Sequence, residues 1–170
     1  MYLEKINSPK DLKNYSVDEM KELAKEMRTA LLKKLSIHGG HCGPNFGMVE
    51  ATIALHYVFN SPVDKFVFDV SHQTYPHKML TGRAYGFLDE SRYDDITGYS
   101  CPEESEHDFF TVGHTSTSVS LACGIAKTEA NLFTVFTVHL SKELMTSFRK
   151  TFVSIITVQQ LSFMPLPFSV

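Results

Sequence analysis

The chain has little of several things that would assign it to a class. Its 170 residues include only three cysteines, Cys42, Cys101 and Cys123. The number is odd and no Cys-x-x-Cys pair occurs, so a disulfide framework or a zinc ribbon is a poor reading and a reducing, cytoplasmic setting fits best. There is no excess of positive charge. With 16 Lys and Arg against 19 Asp and Glu, the formal net charge is −3, which gives no electrostatic case for a nucleic-acid partner. The opening Met1-Tyr2-Leu3-Glu4-Lys5 turns polar at once, unlike a signal or transit sequence. Thr151 to Val170 carry no charge, but Gln159, Gln160, several hydroxyl residues and two prolines make this stretch a poor membrane span. Eight histidines are scattered without a Cys/His-rich tract, so no single metal cluster is indicated. The absences are also uneven along the chain. No aspartate follows Asp108 and no glycine follows Gly124, which leaves the tail poor material for tight turns and phosphate loops.

What is present is ordinary for a globular protein: 43% hydrophobic and 21% charged residues, enough for one domain or part of a larger one. Ser16 and Glu19 have capping-box spacing. Met20, Leu23, Ala24, Met27, Leu31 and Leu35 then recur at helical intervals, with lysines and glutamates on the other face. This reads as a packing helix with no chemistry on it. A glycine-dense loop, Gly39 to Gly47, follows, and a mostly apolar helix is expected from about Met48 to Phe59. Phe66-Val67-Phe68-Asp69-Val70 reads as a buried strand feeding the polar loop Ser71 to Lys78, where open α/β sheets place ligand groups. Residues 82–108 read as loop, and Glu103 to Asp108 as a solvated acidic turn. Phe109 to Val112 read as a second strand, leading to Gly113-His114-Thr115-Ser116-Thr117-Ser118 and a helix through about Lys127. From Thr134 to Ile156, helix and strand fit equally well.

Three histidine-bearing loops carry the chemistry. His41 lies among glycines that allow close approach of backbone to a ligand. It is either a loop histidine bonded to a backbone carbonyl or a proton-transfer group. His72 and His77 lie on the second loop; a zinc site there would need a third ligand that the sequence does not nominate. Cys42 beside His41 makes a poor nucleophile pair, because such pairs come from separate segments. His114 lies at a strand-to-helix junction. Thr115 and Ser116 either cap the helix or help its free amides hold an anion such as a phosphate. His38 and His56 read as structural, and His107 and His139 have no supporting context.

Together these loops resemble a known family. Gly39 to Gly47 is similar to a G-G-H-x-G-x-x-x-G stretch. Asp69 to Arg83 is similar to D-V-G-H-Q-x-Y-x-H-K-x-L-T-G-R. Glu104 to Asp108 and Gly113 to Ser118 are similar to E-S-x-x-D and G-H-S-S-T-S. Their order and spacing over about residues 8–127 resemble the thiamine-diphosphate-dependent, transketolase-like 1-deoxy-D-xylulose-5-phosphate synthases. Two mild departures are Ser71, where that motif usually has Gly, and Thr115, where it usually has Ser.

The resemblance implies an α/β fold: an incomplete transketolase-type thiamine-diphosphate-binding domain, with a parallel sheet flanked by helices, over residues 1–127. A divergent tail occupies 128–170. It implies a transferase that joins pyruvate to glyceraldehyde 3-phosphate with loss of carbon dioxide, supplying isoprene and thiamine biosynthesis in the cytoplasm as a homodimer, with no membrane or nucleic-acid partner. Thiamine diphosphate would stabilise the acyl carbanion. His41 would be the catalytic histidine, and His72, Gly113, His114 and Thr115 would contact the cofactor. Magnesium is expected for the family, but its Gly-Asp-Gly ligand motif does not occur here, so no metal ligand is nominated. The expectation is therefore a truncated, inactive chain. The alternative is a non-catalytic remnant or subunit that binds a transketolase-like partner.

Overall fold

A computed structural model of the chain describes residues 1–128, 132–136 and 153–157. This part is mostly helical, and it is built around a core beneath the second helix. After a 3-10 turn at Leu3–Lys5 and a short α1 at Pro9–Leu12, α2 runs over Val17–His38. Its capping box forms as expected: the Ser16 hydroxyl accepts from the Glu19 amide at 3.3 Å, and the Glu19 carboxylate accepts from the Ser16 amide at 2.8 Å. Leu23, Ala24, Met27, Ala30 and Leu31 turn inward onto Val49, Ile53, Tyr75, Met79, Leu80 and Phe87. Each large apolar side chain buried there contributes roughly 1.5–3 kcal/mol.

Lys34 corrects the sequence reading of α2, in which every lysine faces water. It is buried, and its ammonium donates to the carbonyls of Gly86 and Tyr93, both at 2.9 Å. It also lies 4.8 Å above the Phe87 ring. Burial, and then repulsion from Lys78, push its pKa down to about 8.

Helix α3 spans Gly43–Val58, starting five residues before the expected Met48. Pro44 in the first turn suits a helix start, because its missing N–H would have no intrahelical partner. The amides of Asn45 and Phe46 close onto the Cys42 carbonyl. The glycine-rich loop thus shrinks to residues 39–42.

Strand β1 covers Lys65–Phe68. Its alternation places Phe66 and Phe68 against Met48 and Leu55 of α3, while Val67 packs with Ala122 of α6, a helix spanning Ser118–Thr128. A strand buried on both faces by helices reads as a continuous apolar run, which is why it is visible in sequence. β1 pairs in parallel with β2, Leu132–Phe136, and β2 pairs in parallel with β3, Val153–Thr157. Apart from these strands and Thr128, the 128–170 tail lies outside the described residues.

Between β1 and α6 come α4 at Tyr75–Lys78, a π-turn at Met79–Arg83, α5 at Tyr85–Leu88 and a 3-10 turn at Glu90–Asp95. The stretch read as loop from residue 82 therefore begins with packed helical turns. The expected strand Phe109–Val112 does not form. The carbonyls of Phe110 and Val112 instead accept hydrogen bonds from the hydroxyls of Ser100 and Ser71. Among the described residues, no helix is long and apolar enough to cross a membrane.

Candidate functional site

The C-terminal end of β1 organises the site. Asp69 is fully buried there. Its carboxylate accepts from the amides of Ser116 at 3.1 Å and Ser118 at 3.2 Å, which makes it the cap of α6. The sequence reading gave that cap to Thr115 or Ser116 and left the helix amides open to an anion. One of those amides, that of Ser118, and the Ser116 amide just ahead of the helix are taken by a carboxylate fixed on a different element. The chain then reverses sharply. Val70 has φ +61° and Ser71 φ +62°, and the Ser71 amide closes back on the Asp69 carbonyl at 2.6 Å. A β-branched residue at positive φ is strained, and the strain is located next to His72.

His41 and His72 come together. Their rings lie 5.7 Å apart at 90°, and Tyr99 approaches His41 edge-on at 4.9 Å. The two loops are stitched by Asn45, in the first turn of α3 and fully buried. Its amide group donates to the His41 carbonyl at 2.7 Å and the His72 carbonyl at 2.8 Å, and its side-chain oxygen accepts from the Tyr75 amide at 2.8 Å. Sequence reasoning did not single out Asn45. A polar amide in the first turn of an otherwise apolar helix was the available signal. Burial, and then the neighbouring His41, lower the pKa of His72, against the weaker opposing effects of a hydrogen bond with the Gln73 side chain and of the Asp69 charge. The Nδ1 atom of His41 is buried and has no hydrogen-bond partner. A buried polar atom without a partner costs roughly 1–3 kcal/mol, so His41 calls for an explanation.

The third loop is more open. His114 is exposed, and its Nδ1 donates to the Thr115 carbonyl at 2.9 Å. Gly113 and Thr115 are also exposed. A Cβ added at Gly113 would lie 3.9 Å from the Tyr99 ring, and one at Gly98 would lie 3.3 Å from His41. Tyr99 is thus where the first and third loops meet. Cys42 is exposed.

Beneath the site runs a buried polar chain. The Asp108 carboxylate receives both terminal nitrogens of Arg83, at 2.8 and 2.9 Å, together with His77 Nε2 at 3.0 Å and the Cys101 amide at 2.8 Å. His77 spends its other nitrogen on His56 at 2.8 Å. The carboxylate can only accept, so Nε2 of His77 carries the proton and Nδ1 accepts from His56. No nitrogen of His77 remains for a metal, which disposes of a His72–His77 zinc pair. Burial would raise the Asp108 carboxyl, but hydrogen bonds from His77 and Arg83 outweigh it and hold the group well below the usual carboxylate range. Glu104 accepts from Lys78 at 2.6 Å and from Arg83 at 3.1 Å. The acidic run is therefore no solvated turn: Glu104 and Asp108 clamp the second motif from behind. His107 is buried as well, bonded to the Ser61 hydroxyl at 2.8 Å, and desolvation, then His77, push it down to about 4.

Residues 3–135 match the family model described as 1-deoxy-D-xylulose-5-phosphate synthase. The chain is 52% identical over 127 residues to the 1-deoxy-D-xylulose-5-phosphate synthase of Dictyoglomus thermophilum, a match covering 75% of this chain and 21% of that protein. It is 53% identical over 127 residues to the enzyme of the same name from Chlamydia pneumoniae, covering 74% and 20% of the two chains. A third relative, from Thermomicrobium roseum, is also 53% identical, with the same 74% and 20% coverage. The chain thus spans about a fifth of the length of these curated relatives.

Proposed function

The chain belongs to the 1-deoxy-D-xylulose-5-phosphate synthase family, and on that premise we propose that residues 1–127 are part of a transketolase-type thiamine-diphosphate-binding domain, a parallel sheet flanked by helices, with residues 128–170 as a divergent tail. The activity proposed for the whole enzyme is the decarboxylating condensation of pyruvate with glyceraldehyde 3-phosphate. This is a transferase reaction that feeds isoprene and thiamine biosynthesis, carried out by a cytoplasmic homodimer.

One observation carries this reading: the His41 and His72 rings meet 5.7 Å apart, with Tyr99 against His41 and the buried Nδ1 of His41 without a partner. They suit the polar groups of a cofactor such as thiamine diphosphate, which when bound supplies carbanion stabilisation. In this reading His41 is the catalytic residue and exchanges a proton with substrate, while Tyr99 keeps bulk water from it. His72 and the exposed backbone of Gly113, His114 and Thr115 hold the cofactor. Because Asp69 takes the amides of Ser116 and Ser118, a diphosphate would rest on residues 113–115 rather than on those two amides.

The metal side does not fit. Among the described residues, no three His, Cys, Asp or Glu side chains converge on a metal position, and no Gly-Asp-Gly occurs in the 170 residues. Magnesium therefore has no site proposed here, and we expect the 170-residue chain by itself to be inactive.

The experiment is titration calorimetry of the chain with thiamine diphosphate, alongside a turnover assay with pyruvate, glyceraldehyde 3-phosphate, thiamine diphosphate and magnesium. Weak binding that His72→Ala abolishes, with no turnover, supports the reading. Binding that His72→Ala leaves unchanged removes His72 from the site, and turnover overturns the inactivity.

A second reading is a non-catalytic remnant or subunit that docks on a transketolase-like chain. It is favoured by the open groove lined by Tyr2, Val17, Met20, Ile53, Tyr57 and Val58, in which Val17 and Val58 are exposed. Co-purification with a full-length family member would separate it from the first.

A further inference from the structure

Position 71 asks for glycine on backbone grounds. Its φ is +62°, a region that L-residues enter at a cost, and the motif that this loop resembles has glycine there. Serine is present nonetheless, fully buried, with its hydroxyl used twice. It donates to the Val112 carbonyl and accepts from the Ser100 amide at 3.0 Å. These two partners flank the contacts that define the site. Ser100 follows Tyr99, whose ring lies 4.9 Å from His41. Val112 precedes Gly113, where an added Cβ would lie 3.9 Å from the Tyr99 ring. Ser71 itself precedes His72. One hydroxyl therefore joins the His72 loop to residues 98–100 and to the start of the His114 loop, where a ladder of backbone bonds is missing.

We propose that Ser71 is a positioning residue for the candidate site: its hydroxyl straps residues 98–100 across the site and so holds Tyr99 against His41. The segment has two further hydroxyl bonds, from Thr97 to the Tyr99 carbonyl at 2.9 Å and from Ser100 to the Phe110 carbonyl, but the Tyr99 ring itself sits at the surface and is 36% exposed. Gly98 permits the close approach, because a side chain there would press on His41 at 3.3 Å and on the Tyr75 hydroxyl at 3.4 Å. The strap matters to the extent that His41 is the proton-transfer group, so the proposal rests on the function proposed above for its purpose, though not for its geometry.

The test is NMR on the cofactor-free chain with labelled histidine and backbone nitrogen. Tyr99→Ala defines how the His41 Hε1 resonance responds to loss of the ring. Ser71→Gly removes the hydroxyl and suits the backbone. It should move His41 Hε1 in the same direction and by most of the Tyr99→Ala change. It should also speed exchange of the Ser100 amide by about tenfold or more while α2 amides keep their protection. A His41 resonance unmoved in Ser71→Gly overturns the proposal. So does a Ser100 amide that already exchanges freely in the unsubstituted chain, a result that needs no variant to fold. Because no cofactor is present, failure of thiamine diphosphate to bind leaves this result standing, and an unmoved His41 leaves the calorimetry standing.

Discussion

Replacing Asp108 by Asn tests whether the acidic run is a buried clamp. The carboxylate receives four hydrogen bonds, two from Arg83, one from His77 and one from the Cys101 amide. Asparagine keeps the shape but offers one acceptor oxygen and turns an NH2 toward donors. The Arg83 side chain is only 3% exposed, so water cannot replace the lost partner. Removing one partner of a buried pair costs about 3–5 kcal/mol, although here Glu104 still faces Arg83 at 3.1 Å. Against the roughly 5–15 kcal/mol that holds a domain of this size, such a loss is about a fifth or more of the total. With a urea slope of about 2 kcal/mol per molar, the unfolding midpoint should fall by roughly 1.5–2.5 M. The assay is urea unfolding followed by far-UV circular dichroism, with Glu106→Gln as control. Glu106 is exposed on the same run, and its substitution should stay within about 0.5 kcal/mol. Equal midpoints for Asp108→Asn and the control would refute the clamp and restore the solvated turn.

Two further outcomes follow from the same core. Burial holds the imidazoles of His56, His77 and His107 below their usual value, so the unfolded chain binds protons that the fold does not. Their contribution is complete above about pH 6.5 and is lost as pH falls through the folded values. For His107, held at about 4, the loss is about 2 kcal/mol by pH 5, and Asp108 adds a further loss below its unfolded value near pH 4. Urea midpoints at pH 7.5 and pH 5 check this, and a midpoint that does not fall contradicts it. Gly82→Ala should destabilise the chain by at least about 1–2 kcal/mol, because Gly82 has φ +86° and an added Cβ would lie 2.8 Å from the Asn7 carbonyl oxygen. An unchanged melting curve would show that the Met79–Arg83 turn rearranges freely.

The parts legible in the sequence share a cause. The α2 capping box and heptad-like spacing, the alternating apolar run of β1 and the Ala/Leu-rich α6 are all set by residues within a few positions of one another, and periodicity records that directly. The three histidine loops were legible for the same reason, as contiguous motifs after periodic elements. The start of α3 was misplaced because glycines in a first turn look like loop, although Pro44 pointed to the helix.

What the tertiary structure decided was the pairing of polar groups across long separations. Nothing local tells Asp108 from its exposed neighbour Glu106; the difference is Arg83, 25 residues away. Nothing local marks Lys34 as the lysine of α2 that faces two buried carbonyls. The same holds for Asp69, which caps a helix 47 to 49 residues on, and for Ser71, whose hydroxyl replaces the strand expected at 109–112. A charge or hydroxyl is neutral information in a sequence, because its energy depends on whether a partner reaches it before water does. Sequence alone therefore established α2, β1, α6, the histidine loops and the family likeness. Only the fold decided which polar side chains support the site from below and brought His41 and His72 together above them.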